Sequence, residues 1–203
     1  MKNEKQIVLF LKKNTTFNQT QLAAKLNEKF EELGSPAIIP PNEKEPNQPL
    51  IIFNQGIMNL TMNYNDVSFI FYEEDNDKLN DLIIEIVEFL EDYSLDFVRL
   101  GYVSTFLNTK KERDNFKKNM FKEENLMNDD FQISWYKKES IDSVVVNVWE
   151  RHFTDLSNNI DFVSIFDINS PIEEEYNISS TFLNDFLKEC NKYIEKKQNI
   201  RYK

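Results

Sequence analysis

The run Leu95-Asp96-Phe97-Val98-Arg99-Leu100-Gly101-Tyr102-Val103-Ser104-Thr105-Phe106-Leu107 constrains this chain more than any other stretch. It is rich in β-branched and aromatic residues and holds no proline, so it predicts a long strand. Alternate positions put Val98, Leu100, Tyr102 and Phe106 on one face. Phe97, Arg99, Gly101, Val103, Thr105 and Leu107 fall on the other. Both faces are mainly apolar, which predicts a central strand covered on both sides. Arg99 needs a carboxylate or carbonyls, and an ion pair that orients the sheet edge is expected ahead of anion binding. Gly101 predicts a bulge or the close approach of another element.

The other periodic segments are short enough to pair with this strand or pack on it. Ile7 to Leu11 reads as a first strand. A helix follows, with Asn18 as N-cap, Gln21 at the third helical position and a Phe17–Leu22 staple. Leu22, Leu26, Phe30 and Leu33 form its stripe, and Gly34 ends it. Residues 35–49 contain five of the six prolines and read as an extended connector. Leu50–Phe53, Ile57–Tyr64 and Val67–Tyr72 read as three strands, and Asp77 to Asp92 as a helix with Leu79, Leu82, Ile83, Ile86, Val87 and Leu90 inward.

Beyond Leu107, a charged helix is expected over Asn108–Met120. Strands follow from Phe131, over Ile141–Phe153 and over Ile160–Ile168. Pro171 breaks the chain, and a last helix starts near Ser179 or Ser180, with residues 199–203 frayed. The expected fold is α+β: antiparallel sheet halves, ferredoxin-like or merged into one sheet, covered by amphipathic helices. Residues 1–107 make a β-α-β-β-β-α-β half and residues 108–203 an α-β-β-β-α half around one core. With 203 residues, 40% of them hydrophobic, the chain can bury such a core.

Charge carries the functional reading. The net charge is −11. Eleven acidic residues and one basic residue, Lys78, lie between Asp66 and Asp96. Asp77, Asp81, Glu85, Glu88 and Asp92 recur at spacings of four, four, three and four, which lines them along one helix face. Like charges at this spacing work against the helix by about 0.2–0.5 kcal/mol per pair. The row, with Glu73 and Glu74 beside it, therefore predicts a binding surface for a basic protein. The expected function is a non-enzymatic protein-binding module, an acidic inhibitor or adaptor that imitates a row of phosphates. Direct nucleic-acid binding is disfavoured by the charge. The basic residues Lys110, Lys111, Arg113, Lys117 and Lys118 read as a solvated helix face or a partner for the acidic helix.

Two other classes compete: a carboxylate-metal-dependent enzyme such as a nuclease, and a homo-oligomer joined through an exposed strand edge. No catalytic, metal or cofactor residues are assigned. His152 is the only histidine and reads as a surface or edge-strand residue; Cys190, the only cysteine, reads as inert on an apolar helix face. Asp161 and Asp167 share a strand face but stand about 20 Å apart, too far to hold one ion. A lone cysteine forms no intrachain disulfide, the run Ile7–Leu11 is short for a signal peptide, and no segment approaches a membrane span. The expectation is a cytoplasmic protein with no membrane partner.

Taken in order, Gly34-Ser35-Pro36, the proline-rich loop, Leu50-Ile51-Ile52-Phe53-Asn54, Val67-Ser68-Phe69-Ile70-Phe71, Arg99-Leu100-Gly101-Tyr102 and Phe166-Asp167-Ile168 resemble a sporadically distributed family of bacterial proteins of unknown function. The resemblance covers most of the chain and points to a bacterial or phage setting. That family has no established catalytic residues, so none is carried over.

Overall fold

The computed structural model of the chain describes residues 3–72, 76–121, 131–141, 144–155, 160–172 and 175–202. Among these residues nine strands form one antiparallel sheet: β1 (Glu4–Leu11), β2 (Pro36–Ile38), β3 (Ile51–Phe53), β4 (Asn59–Met62), β5 (Asp66–Tyr72), β6 (Phe97–Asn108), β7 (Gln132–Ile141), β8 (Val144–Asp155) and β9 (Ile160–Asn169). Their spatial order is β2-β3-β4-β5-β1-β6-β9-β8-β7. The fold is α+β, and its sheet is larger than a ferredoxin-like unit. The long run of β6 does join the two ends of the chain, pairing with β1 on one side and β9 on the other.

Among the described residues four helices accompany the sheet: α1 (Gln19–Lys29), α2 (Asn76–Asp92), α3 (Lys110–Met120) and α4 (Ser180–Tyr202). Asn18 caps α1, accepting the Gln21 backbone N–H at 3.0 Å. Gly34, with φ of 71°, ends the 3₁₀ turn Glu31–Leu33 that follows α1. Thr109 and Glu112 close a reciprocal capping box on α3. No helix among the described residues is long and apolar enough to cross a membrane.

All four helices lie on one side of the sheet. Ile7 and Leu9 of β1, Leu100 and Tyr102 of β6, and Phe166 and Ile168 of β9 point into the same core as Leu26 of α1, Ile83 and Leu90 of α2 and Leu187 of α4. Phe116 of α3 packs at the far end of that side, against Phe162 and Tyr202. Two-sided cover for β6 was the expectation, and here the structure differs. On the helix-free side Val103, Thr105 and Leu107 are only half-buried. Tyr72, Tyr136 and Trp149 are 46%, 45% and 45% exposed. An apolar residue on each face of a strand is thus compatible with an open face. The alternation also slips at the start of β6. A register shift between Phe10 and Leu11 brings Leu11 opposite Phe97, so Phe97 turns inward and Val98 does not.

Several boundaries differ from the sequence-based expectation for identifiable reasons. Pro36–Ile38 is an edge strand inside the expected connector; its proline sits where one neighbour is missing, so no ladder bond is lost. The expected single strand Ile141–Phe153 is divided: Ile141 ends β7 and Val144 begins β8, paired with each other. The end of α4 does not fray. Arg201 and Tyr202 are buried and the helix runs through them. Gly101 marks a close approach, since a Cβ there would lie 2.3 Å from Asn169 Oδ1.

Candidate partner-binding surface

The apolar stripe of α2 fixes its orientation. Leu79, Ile83, Ile86, Val87 and Leu90 are buried, and Asp81, Glu85, Glu88 and Asp92, on the opposite side, are exposed. From Asp81 to Asp92 the ridge is about 16 Å long at ~1.5 Å per residue. Asp77 belongs to the same helix, but its side chain lies outside the description, as do Glu73 and Glu74. Among the described residues, no hydrogen bond or ion pair falls on the four exposed carboxylates. Arg113 and Lys117 of α3 do not serve them: α3 packs on α4 and β9, with Arg113 beside Asp114 and the Lys117 ammonium over the Phe131 ring.

Flanking cations are mostly committed elsewhere. On the α1 side, Lys29 Nζ lies 5.1 Å from the Phe89 ring and Lys25 Nζ 5.1 Å from the Tyr93 ring. On the α4 side, Lys192 donates to Glu189 one turn away. A cleft of about 510 Å³ separates α2 from α4, with Asn80 and Asp81 on one wall and Lys188, Asn191 and Lys192 on the other. Lys5 and Phe106 line it from the sheet. Asn191 Oδ1 accepts from the Tyr102 hydroxyl at 2.7 Å and from Lys5 Nζ at 3.4 Å. Of the ridge residues Asp81 alone lines this cleft; Glu85, Glu88 and Asp92 do not. Glu91 points aside from the ridge and accepts the Ser180 backbone N–H at 3.2 Å, where a carboxylate favours the N-terminus of α4.

A second polar group is wholly internal, and no spacing in the sequence signals it. Glu150 and His152 on β8 are 0% exposed. The Arg201 guanidinium binds Glu150 and stacks 4.6 Å over the Trp135 ring, and the Tyr193 hydroxyl donates to Glu150 at 3.1 Å. Burial alone would raise the Glu150 pKa; the hydrogen bond and charge of Arg201, with the Tyr193 hydroxyl, outweigh it and hold the carboxyl at about 2. Burial, with Arg201 adding to it, lowers the His152 pKa, so the imidazole is neutral at pH 7. His152 Nδ1 lies 3.0 Å from Ser164 Oγ. That pair has the composition of a nucleophile and its base but not the access. Ser164 is fully buried, and its oxygen already accepts from the Tyr202 hydroxyl at 2.6 Å and from Asn108 Nδ2 at 2.8 Å. The cluster clamps the end of α4 to β8 and β9. His152 is therefore a core residue, not the surface residue its position predicts.

Arg99 also departs from expectation. Its guanidinium lies 4.7 Å over the Phe10 ring on the helix-free face, no described carboxylate pairs with it, and its Nε finds no acceptor. Cys190 is buried and its thiol pKa is pushed well up by burial and by Glu189. Among the described residues, no three His, Cys, Asp or Glu side chains converge as metal ligands would. No family model, no curated protein and no solved structure matches the chain.

Proposed function

We propose that this protein is a non-enzymatic protein-binding module that docks a basic protein surface on the outer face of α2. One observation carries the reading: Asp81, Glu85, Glu88 and Asp92 stand exposed in a row with no ion pair or hydrogen bond among the described residues. The row mildly disfavours the helix that bears it, and nothing within the described fold uses it. Carboxylates one helical turn apart are about 5–6 Å from each other, a spacing suited to guanidinium and ammonium groups that otherwise follow a phosphate chain. An inhibitor or adaptor of a nucleic-acid-binding protein is the form of this function that the geometry supports best.

The test is capture of partners from the source cells by the immobilised full chain and by its Asp81→Lys, Glu85→Lys, Glu88→Lys variant. A basic protein retained by the first and lost by the second supports the reading. Equal recovery by both sinks it. Because all three positions are exposed, the variant keeps its core, which circular dichroism checks.

A further inference from the structure

We propose that the helix-free face of the sheet is a homodimer interface, with the two-fold axis running parallel to the strands between β6 and β9. Six strands, in the order β5-β1-β6-β9-β8-β7, form the open face. At about 4.8 Å between strands and about seven residues of shared length, it measures about 24 Å by 24 Å. Two copies would bury about 1,200 Å² in all, the lower bound of stable interfaces. Tyr136 and Trp149 stand together on it, ring centroids 4.7 Å apart, and Arg151 is exposed beside them. These are the residue types that anchor protein interfaces.

Charge selects a second copy as the occupant. The chain carries −11, yet the described side chains on this face balance: Glu4, Asp66 and Asp167 against Arg99, Lys138 and Arg151. Two such faces can meet without the repulsion that the helix sides would impose. The balance is also polarised. Glu4 and Asp66 lie on the β1–β5 side, Arg151 and Lys138 on the β8–β7 side.

Register then fixes the symmetry. Glu4 pairs with Thr105, Thr105 with Ile165 and Ile165 with Arg151, so Glu4 and Arg151 share one row across the sheet. They sit on β1 and β8, equally far from the line between β6 and β9. A two-fold axis along that line places Glu4 of each copy opposite Arg151 of the other. In the next row it places Ile70 opposite Tyr136 and Gln6 opposite Trp149. A two-fold axis across the strands instead sets acidic side against acidic side. Packed sheets cross at about 30°, which displaces strands ~7 Å from the axis by about 4 Å, within the reach of Glu and Arg side chains. Glu4 has no described ion pair within the chain, and Arg151 makes no described salt bridge, although its charge acts on Asp167 beside it on β9.

Sedimentation equilibrium of the full chain tests this. The expected mass is twice that of the 24.2 kDa chain. Arg151→Glu and Glu4→Arg should each weaken the dimer at least about tenfold, and the double exchange Glu4→Arg with Arg151→Glu should restore it. Circular dichroism spectra matching the wild type, and equal melting temperatures at a dilution where the wild-type chain is monomeric, show that neither variant acts by unfolding. A monomer at about 100 μM, where even weak specific pairing is populated, overturns the proposal. So does a dimer that the exchanges leave unaffected or that the double exchange fails to rescue. The ridge on α2 plays no part in this experiment, so its outcome is independent of partner docking.

Discussion

Replacing Arg201 by Met leaves Glu150 buried without its main counter-charge. Glu150 is 0% exposed, and its remaining donor of ordinary geometry is the Tyr193 hydroxyl at 3.1 Å. Breaking a buried pair from one side costs about 3–5 kcal/mol, and the lost stacking on Trp135 adds to this. The pH dependence gives an independent signature. In the native protein Glu150 titrates at about 2 against an ordinary 4.5. Its contribution is present above pH 4.5 and is lost as pH falls toward 2, amounting to about 3 kcal/mol at ~1.4 kcal/mol per pKa unit. Without Arg201, burial dominates and lifts the carboxyl above its ordinary value. Glu150 then destabilises the fold at neutral pH, and that penalty shrinks as pH falls and the group protonates. The deficit of Arg201→Met should therefore be widest near pH 7 and narrow toward pH 5. Urea unfolding at a series of pH values measures it. The double variant Glu150→Leu, Arg201→Met should recover most of the loss, because two apolar groups replace the pair. A loss under about 1 kcal/mol at pH 7, or a deficit that does not narrow with acidification, would refute the clamp.

Two further outcomes follow from local geometry. At Gly56 a methyl would lie 1.9 Å from the Glu32 carbonyl oxygen and 2.7 Å from the Leu33 carbonyl carbon. Backbone must move, so Gly56→Ala should cost at least about 2 kcal/mol. At Gly101 the obstacle is the Asn169 side chain, which can swing away from Asp167, so Gly101→Ala should cost about 1 kcal/mol; equal losses in urea unfolding would contradict this ranking. Glu88→Lys removes repulsion with Glu85 and Asp92 and puts a cation near the C-terminus of α2. It should stabilise the fold by about 0.5–1 kcal/mol, read as a raised melting temperature, whereas destabilisation would mean that Glu88 has an internal role.

Local chemistry made much of this fold legible in the sequence. Leu79 to Leu90 recur at helical spacing, and α2 lies within a residue of its expected start and ends where expected. Asn18 and Gln21 announce α1 because capping is a matter of neighbouring residues. What escaped depends on distant residues. His152 and Glu150 alternate on a strand like any polar face, and only the return of α4, some fifty positions later, makes that face interior. Arg201 and Tyr202 look like a fraying tail until Glu150 and Ser164 hold them. The open face was hidden for a different reason. Val103, Thr105 and Leu107 look as apolar as a covered face, and no local pattern tells a covered face from an open one. The positions of the ridge depend only on helical spacing, and the four described ones, Asp81, Glu85, Glu88 and Asp92, are exposed without an ion pair among the described residues.

Carboxylate footprinting tests the central claim most directly. The full chain, free and bound to a captured basic partner, is labelled with a carbodiimide and an amine, and modification is read residue by residue. Docking on α2 predicts that Asp81, Glu85, Glu88 and Asp92 lose labelling in the complex while Glu4 and Asp66 on the sheet face keep theirs. Unchanged labelling along α2, with protection elsewhere, would contradict the account.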